Sequence, residues 1–177
     1  EQNVMVLHRD EDLDVFGFAM DELSAAIHMF SVRGGRIRGE HAWVVDIELD
    51  NTMERLAEFA LQSAYDLEPV PSLILVPEIP ASANELVEAL RAHRPRGGKV
   101  RVTVPERGEK RKLLDRATLN AKEQLTRYKM RRAADIVTRT DALAEIQDAL
   151  MMPEPPLRME CIDVSHLQGT NVVASLV

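Results

Sequence analysis

Three apolar runs of strand length follow one another with no room for a helix between them: 14–20, 24–32 and 37–47. The first junction is Asp21-Glu22-Leu23. The second is Arg33-Gly34-Gly35-Arg36, where glycine accepts the positive φ that a tight hairpin turn requires. Strands joined this tightly can only pair as an antiparallel meander. Asp14 and Asp21, at the two ends of the first run, read as cap or turn residues.

The rest of the chain changes period. Asn51-Thr52 offers an N-cap, and Met53, Leu56, Ala57, Ala60, Leu61 and Ala64 then recur at helical spacing. Pro69-Val70-Pro71 stops that helix. Residues 72–76 are continuously apolar, as in a strand buried on both faces. A second amphipathic helix covers 84–93, and 99–104 alternates as a fifth strand. The order β-β-β-α-β-α-β is that of the ribonuclease H-like fold, with an antiparallel meander leading into parallel strands and right-handed crossovers. A generic α/β sandwich reads the same way from periodicity alone.

After Pro105, Gly108 is the only Gly or Pro up to residue 150. Leu113, Leu114, Ala117, Ala121, Leu125 and Tyr128 form one helical stripe, and Asp141 is expected to begin a second helical segment. Met152-Pro153-Glu154-Pro155-Pro156 is a stiff connector. Strands are expected at 158–163 and from 171 onward, around the turn Leu167-Gln168-Gly169-Thr170. The expected organisation is therefore a tail (1–12), a mixed five-stranded α/β domain (13–104), a basic helical linker (105–152) and the first hairpin of another domain (153–177).

Charge is segregated. Residues 1–88 hold 5 Arg against 18 Asp and Glu, 91–132 hold 15 Lys and Arg against 4, and 133–177 hold 2 Arg against 7. A polyanion meets the middle stretch and not the net charge of −7. Arg107, Lys110, Arg111, Lys112, Arg116, Lys122, Arg127, Arg131 and Arg132 are the candidates to follow phosphates without reading sequence. The competing reading has these cations bridging to the acidic first domain. With 4% aromatic residues there is little to stack on exposed bases.

Several classes find no support. No run of about 18 apolar residues could span a membrane, and no secretory signal opens the chain. One cysteine, Cys161, cannot form an internal disulfide, which fits a reducing cytoplasm. His and Cys lack zinc spacing. Gly34-Gly35 lacks the Gly-x-x-x-x-Gly-Lys pattern of a phosphate loop, and no Ser-His-Asp set is identifiable.

The stretch from Arg158 to Ser175, with Asp163-Val164-Ser165-His166 on a strand and a hairpin ending Val173-Ala174-Ser175, closely resembles the opening of the UvrC-family endonuclease domain. Pro105 to Leu114, with Asn120-Ala121, is similar to the helical segment that precedes that domain. The resemblance spans nearly the whole chain. Alone, Asp163 reads as an ordinary strand-end carboxylate. The resemblance implies that it is the first metal-binding aspartate of a ribonuclease H-like active site, holding Mg²⁺ or Mn²⁺ in the intact protein. His166 then has a structural role. The family's second carboxylate and its catalytic His are expected beyond Val177, as is a helix-hairpin-helix end. A second nuclease centre, a cysteine-rich region and the segment that contacts the UvrB helicase subunit are expected before Glu1.

On this resemblance the whole protein is a nuclease of bacterial nucleotide excision repair that incises damaged double-stranded DNA. The chain alone is expected to bind no metal and to be inactive. The 13–104 unit is expected to be a degenerate copy, because Phe16 or Phe18 falls where Asp163 lies in the second. The alternative class is a non-catalytic scaffold that binds repair partners, with the basic helix as an interdomain strut.

Overall fold

The computed structural model describes residue 7 and residues 11–47, 52–65, 69–94, 98–156, 158–167 and 170–176, with backbone alone at 163–167 and 170–175. Most of the expected tail, 1–12, lies outside these residues. The chain divides into two compact units, Glu1–Met130 and Arg131–Val177.

In the first unit the meander is β1 (Leu13–Met20), β2 (Ser24–Arg33) and β3 (Arg36–Asp46). Gly34 and Gly35 have φ of 58° and 71°, which a two-residue primed turn requires. Helix α1 (Met53–Ala64) starts at Thr52, whose Oγ1 accepts from the Arg55 amide at 3.4 Å. Then come β4 (Leu73–Leu75), α2 (Ala83–Ala92) and β5 (Arg101–Thr103). The sheet order is β3-β2-β1-β4-β5, with β4 parallel to both β1 and β5. This is the mixed five-stranded ribonuclease H-like sheet that the element order predicted.

Strand β1 is central and buried on both faces. Phe16 and Phe18 point toward α1 and α2, into a core with Ile27, Leu56, Leu61, Ile74 and Leu90. Leu13 and Val15 point to the other face, against Leu113, Leu114 and Ala117. Ala19 continues that face against Ala121 and Leu125. These partners lie on α3 (Gly108–Leu150), so packing of the first unit continues past residue 104 into the basic segment.

Helix α3 is one element of 43 residues. No second segment starts at Asp141. Aspartate inside a helix costs only a fraction of a kcal/mol, and no Gly or Pro interrupts 109–150. The helix ends in a Schellman turn. Met151 takes φ 52°, its amide donates to Asp148 O at 3.2 Å, and the Met152 amide donates to Gln147 O at 2.9 Å.

The second unit pairs β6 (Ile162–Leu167) antiparallel to β7 (Thr170–Leu176), with a register shift between Ser165 and Leu167.

Candidate nucleic-acid interface and metal ligand

The stripe of α3 that meets the sheet is made of small and aliphatic residues, and its closest approach is at Gly17. A Cβ added there would fall inside the backbone of Ala117 and Thr118. On one face of the middle of β1, then, a helix backbone occupies the space. On the other face Phe16 and Phe18 fill the core. Neither face of the central strand is open to a carboxylate and an ion. Among the described residues no three His, Cys, Asp or Glu side chains gather to hold a metal.

The one carboxylate on β1 is Asp14, and the expectation that it is a cap or turn residue is incorrect. It is fully buried. Arg33 Nη1 donates to Asp14 Oδ1 at 2.6 Å, and Tyr65 Oη donates to Oδ2 at 2.8 Å. Burial raises the Asp14 pKa above its ordinary value, while Arg33 and the Tyr65 hydroxyl oppose the shift. A lone carboxylate held by a guanidinium and a phenol is a structural tie, not a metal site. Sequence offered one signal for it: an acid inside the apolar run Leu13-Asp14-Val15-Phe16 must find partners if buried. Asp21 does act as a turn residue. Its Oδ1 accepts from the Leu23 and Ser24 amides, both at 2.9 Å.

A second polar cluster, which no local sequence signal marks, lies on the α3 face. His28 is buried beside Phe30, with Nε2 3.0 Å from Glu40 Oε1 and 3.1 Å from Asn120 Nδ2. Burial lowers the His28 pKa and Glu40 opposes the shift, which favours a neutral ring at neutral pH.

The basic candidates separate by their partners. Lys110 Nζ pairs with Glu11 at 2.8 Å across a half-buried seam. Arg111 pairs with Asp115 at 2.9 Å, and Lys112 with Glu109 at 2.7 Å, both along the helix. Lys129, not among the candidates, pairs with Asp21 at 2.8 Å. Arg107, Arg116, Lys122, Arg127 and Arg131 are exposed, and none makes an ion pair among the described residues. Arg132 is exposed but has an interaction within the chain. A groove of about 390 Å³ runs beside this helix from Pro77 past Arg111 and Asp115 to Lys122.

Asp163 lies on β6 opposite Ser175 of β7. The side chains of Asp163 and His166 lie outside the described residues.

A family model described as UvrC Ribonuclease H-like domain matches residues 12–128. The chain belongs to the UvrC family. A second model, the UvrC RNAse H endonuclease domain, matches residues 147–177. The chain is 47% identical to UvrABC system protein C of Saccharopolyspora erythraea and 46% to that of Renibacterium salmoninarum. Identity to the Pseudarthrobacter chlorophenolicus protein of the same name is 48%. Each comparison covers 100% of this chain but only 26%, 28% and 27% of the relative, so the chain spans about a quarter of the UvrC-family proteins it matches. Among the described residues no helix is long and apolar enough to cross a membrane.

Proposed function

We propose that the whole protein is the nuclease subunit of bacterial nucleotide excision repair, cutting damaged double-stranded DNA by metal-dependent phosphodiester hydrolysis. The observation that carries this reading is the pair of family matches, the second of which includes Asp163. In this reading Asp163 supplies one oxygen ligand to Mg²⁺ or Mn²⁺. The ion, when bound, activates water and stabilises the leaving oxygen. One aspartate is a partial donor set for a hard cation that takes six oxygens, so the remaining ligands come from further along the protein. The first unit is a non-catalytic copy that seats the basic helix. The exposed cations of that helix track the phosphate backbone, and the UvrB helicase subunit delivers the lesion.

The test uses the full-length protein with its partner subunits and a lesion-bearing duplex. Asp163→Asn is expected to lower metal-dependent incision by about a hundredfold or more. Incision at the ordinary rate by a folded variant would overturn the assignment. The chain of residues 1–177 alone is expected not to nick DNA at all.

One observation favours the strut reading for part of the helix. Lys110 and Lys129 reach back to Glu11 and Asp21, so these two cations fasten the helix to the acidic unit.

A further inference from the structure

Among the described residues of the second unit no apolar side chain is fully buried. Among the described residues, seven of the twelve large apolar side chains left exposed fall within 131–177, about a quarter of the chain. Four apolar residues of α3, Ile136, Leu143, Ile146 and Leu150, recur at i, i+7, i+10 and i+14 and so share one stripe. Ile136 and Leu150, at its ends, are 59% and 66% exposed, and Leu143 and Ile146 between them are half-buried. On the hairpin, Ile162 and Leu176 stand opposite each other across the ladder, each 64% exposed. A two-stranded sheet is marginal in water without something packed on it. In the first unit, by contrast, the equivalent opening hairpin β1–β2 is covered on both faces.

We propose that the Ile136–Leu143–Ile146–Leu150 stripe is an intramolecular docking surface, and that its occupant is the remainder of the endonuclease domain beyond Val177. This rests on the proposed function, in which such a domain follows. Three observations select the occupant. The endonuclease-domain match begins at residue 147, so the last turn of α3 already belongs to that domain's sequence. The matched relatives are about four times as long as this chain, which leaves ample protein to form the partner surface. Residues 133–177 carry 2 Arg against 7 Asp and Glu, a balance that repels a phosphate backbone and leaves an apolar protein surface as the partner. In this arrangement α3 serves both domains, with Leu113 to Leu125 seated on the first sheet and Ile136 to Leu150 against the part of the endonuclease domain that follows Val177.

Hydrogen exchange of the full-length protein, followed by mass spectrometry, tests this. Amides of 136–150 and of 162–176 are expected to be protected at every protein concentration. Leu143→Glu is expected to reduce that protection at least tenfold while residues 13–125 keep theirs. Leu143→Ala, a milder change, is expected to give a smaller loss in the same two segments. Unchanged protection in both variants overturns the proposal. So does protection that appears only as protein concentration rises, because a second copy would then be the occupant. Incision activity, measured alongside, separates the two readings. An unprotected helix in an active nuclease sinks the docking surface alone, and a protected helix in a protein that never cuts DNA sinks the nuclease reading alone.

Discussion

Gly17 on β1 and Ala117 on α3 meet backbone to backbone, with no space for even a methyl group between them. The obstacle is main chain, which cannot swing aside as a long side chain can. Gly17→Ala is therefore expected to cost about 3 kcal/mol, the upper end for overpacking a core. Urea unfolding of the chain measures it, and α3 should become an early site of protease cleavage. An unchanged midpoint would show that the helix does not seat on that glycine.

Tyr65 closes α1 and donates to the buried Asp14 carboxylate. Replacing it with Phe keeps the ring against Phe16 but leaves one carboxylate oxygen without that donor. The expected loss is about 1–3 kcal/mol, read from the same unfolding curves. A neutral outcome would mean that water replaces the phenol.

Three groups give the pH profile opposite slopes. Lys129, followed by the Leu23 and Ser24 amides, holds Asp21 down to about 2. Its contribution to stability is in place above the ordinary value of 3.8 and is lost as pH falls toward 2. Asp14, raised by burial, runs the other way: its contribution is present at low pH and disappears as pH rises through its folded value. His28, lowered by burial, contributes above 6.5 and loses that contribution as pH falls through its depressed folded value. Side-chain NMR titrations should place the Asp21 midpoint near 2, Asp14 above 3.8 and His28 below 6.5. Either aspartate titrating on the opposite side of 3.8 would contradict the hydrogen bonds and burial described.

The cations of α3 are expected to divide in a DNA-binding assay as they divide in the structure. Replacing Arg116, Lys122 and Arg127 with Ala should reduce the slope of log affinity against log salt by about 2.7, or 0.9 for each phosphate no longer neutralised. Replacing Lys110, Arg111 and Lys112, which already face carboxylates, should change it by less than about 1. Fluorescence anisotropy on an undamaged duplex across a salt series makes the comparison. Equal slopes for the two triples would show that the internal ion pairs yield to DNA.

Local signals revealed most of the scaffold. Gly34-Gly35 and the runs on either side specified the meander, because turn chemistry and alternation act over a few residues. The stripe Leu113, Leu114, Ala117, Ala121, Leu125 marked an amphipathic helix, but periodicity does not say which surface the stripe covers. Nothing local shows that Asp14 will meet Arg33, 19 residues away, and Tyr65, 51 away. Aspartate also favours turns strongly enough to suggest one there, and helix starts strongly enough to suggest a new segment at Asp141. The pairs Arg111–Asp115 and Lys112–Glu109 stand at helical spacing and can be read locally, but that of Lys110 was hidden, since Glu11 is 99 residues away. Asp163 stands out only through its resemblance-bearing neighbours, and the backbone of β6 carries it opposite Ser175 of β7.

The sandwiching of β1 between aromatic rings and a helix backbone limits which side chains the middle of the strand can accept. An acid introduced at position 16 or 18 would have to displace core packing, and one at 17 would have to evict a helix that carries the outward-facing arginines. The middle of this strand therefore admits no larger or charged side chain at 16, 17 or 18 without giving up either the aromatic core or the seat of that helix.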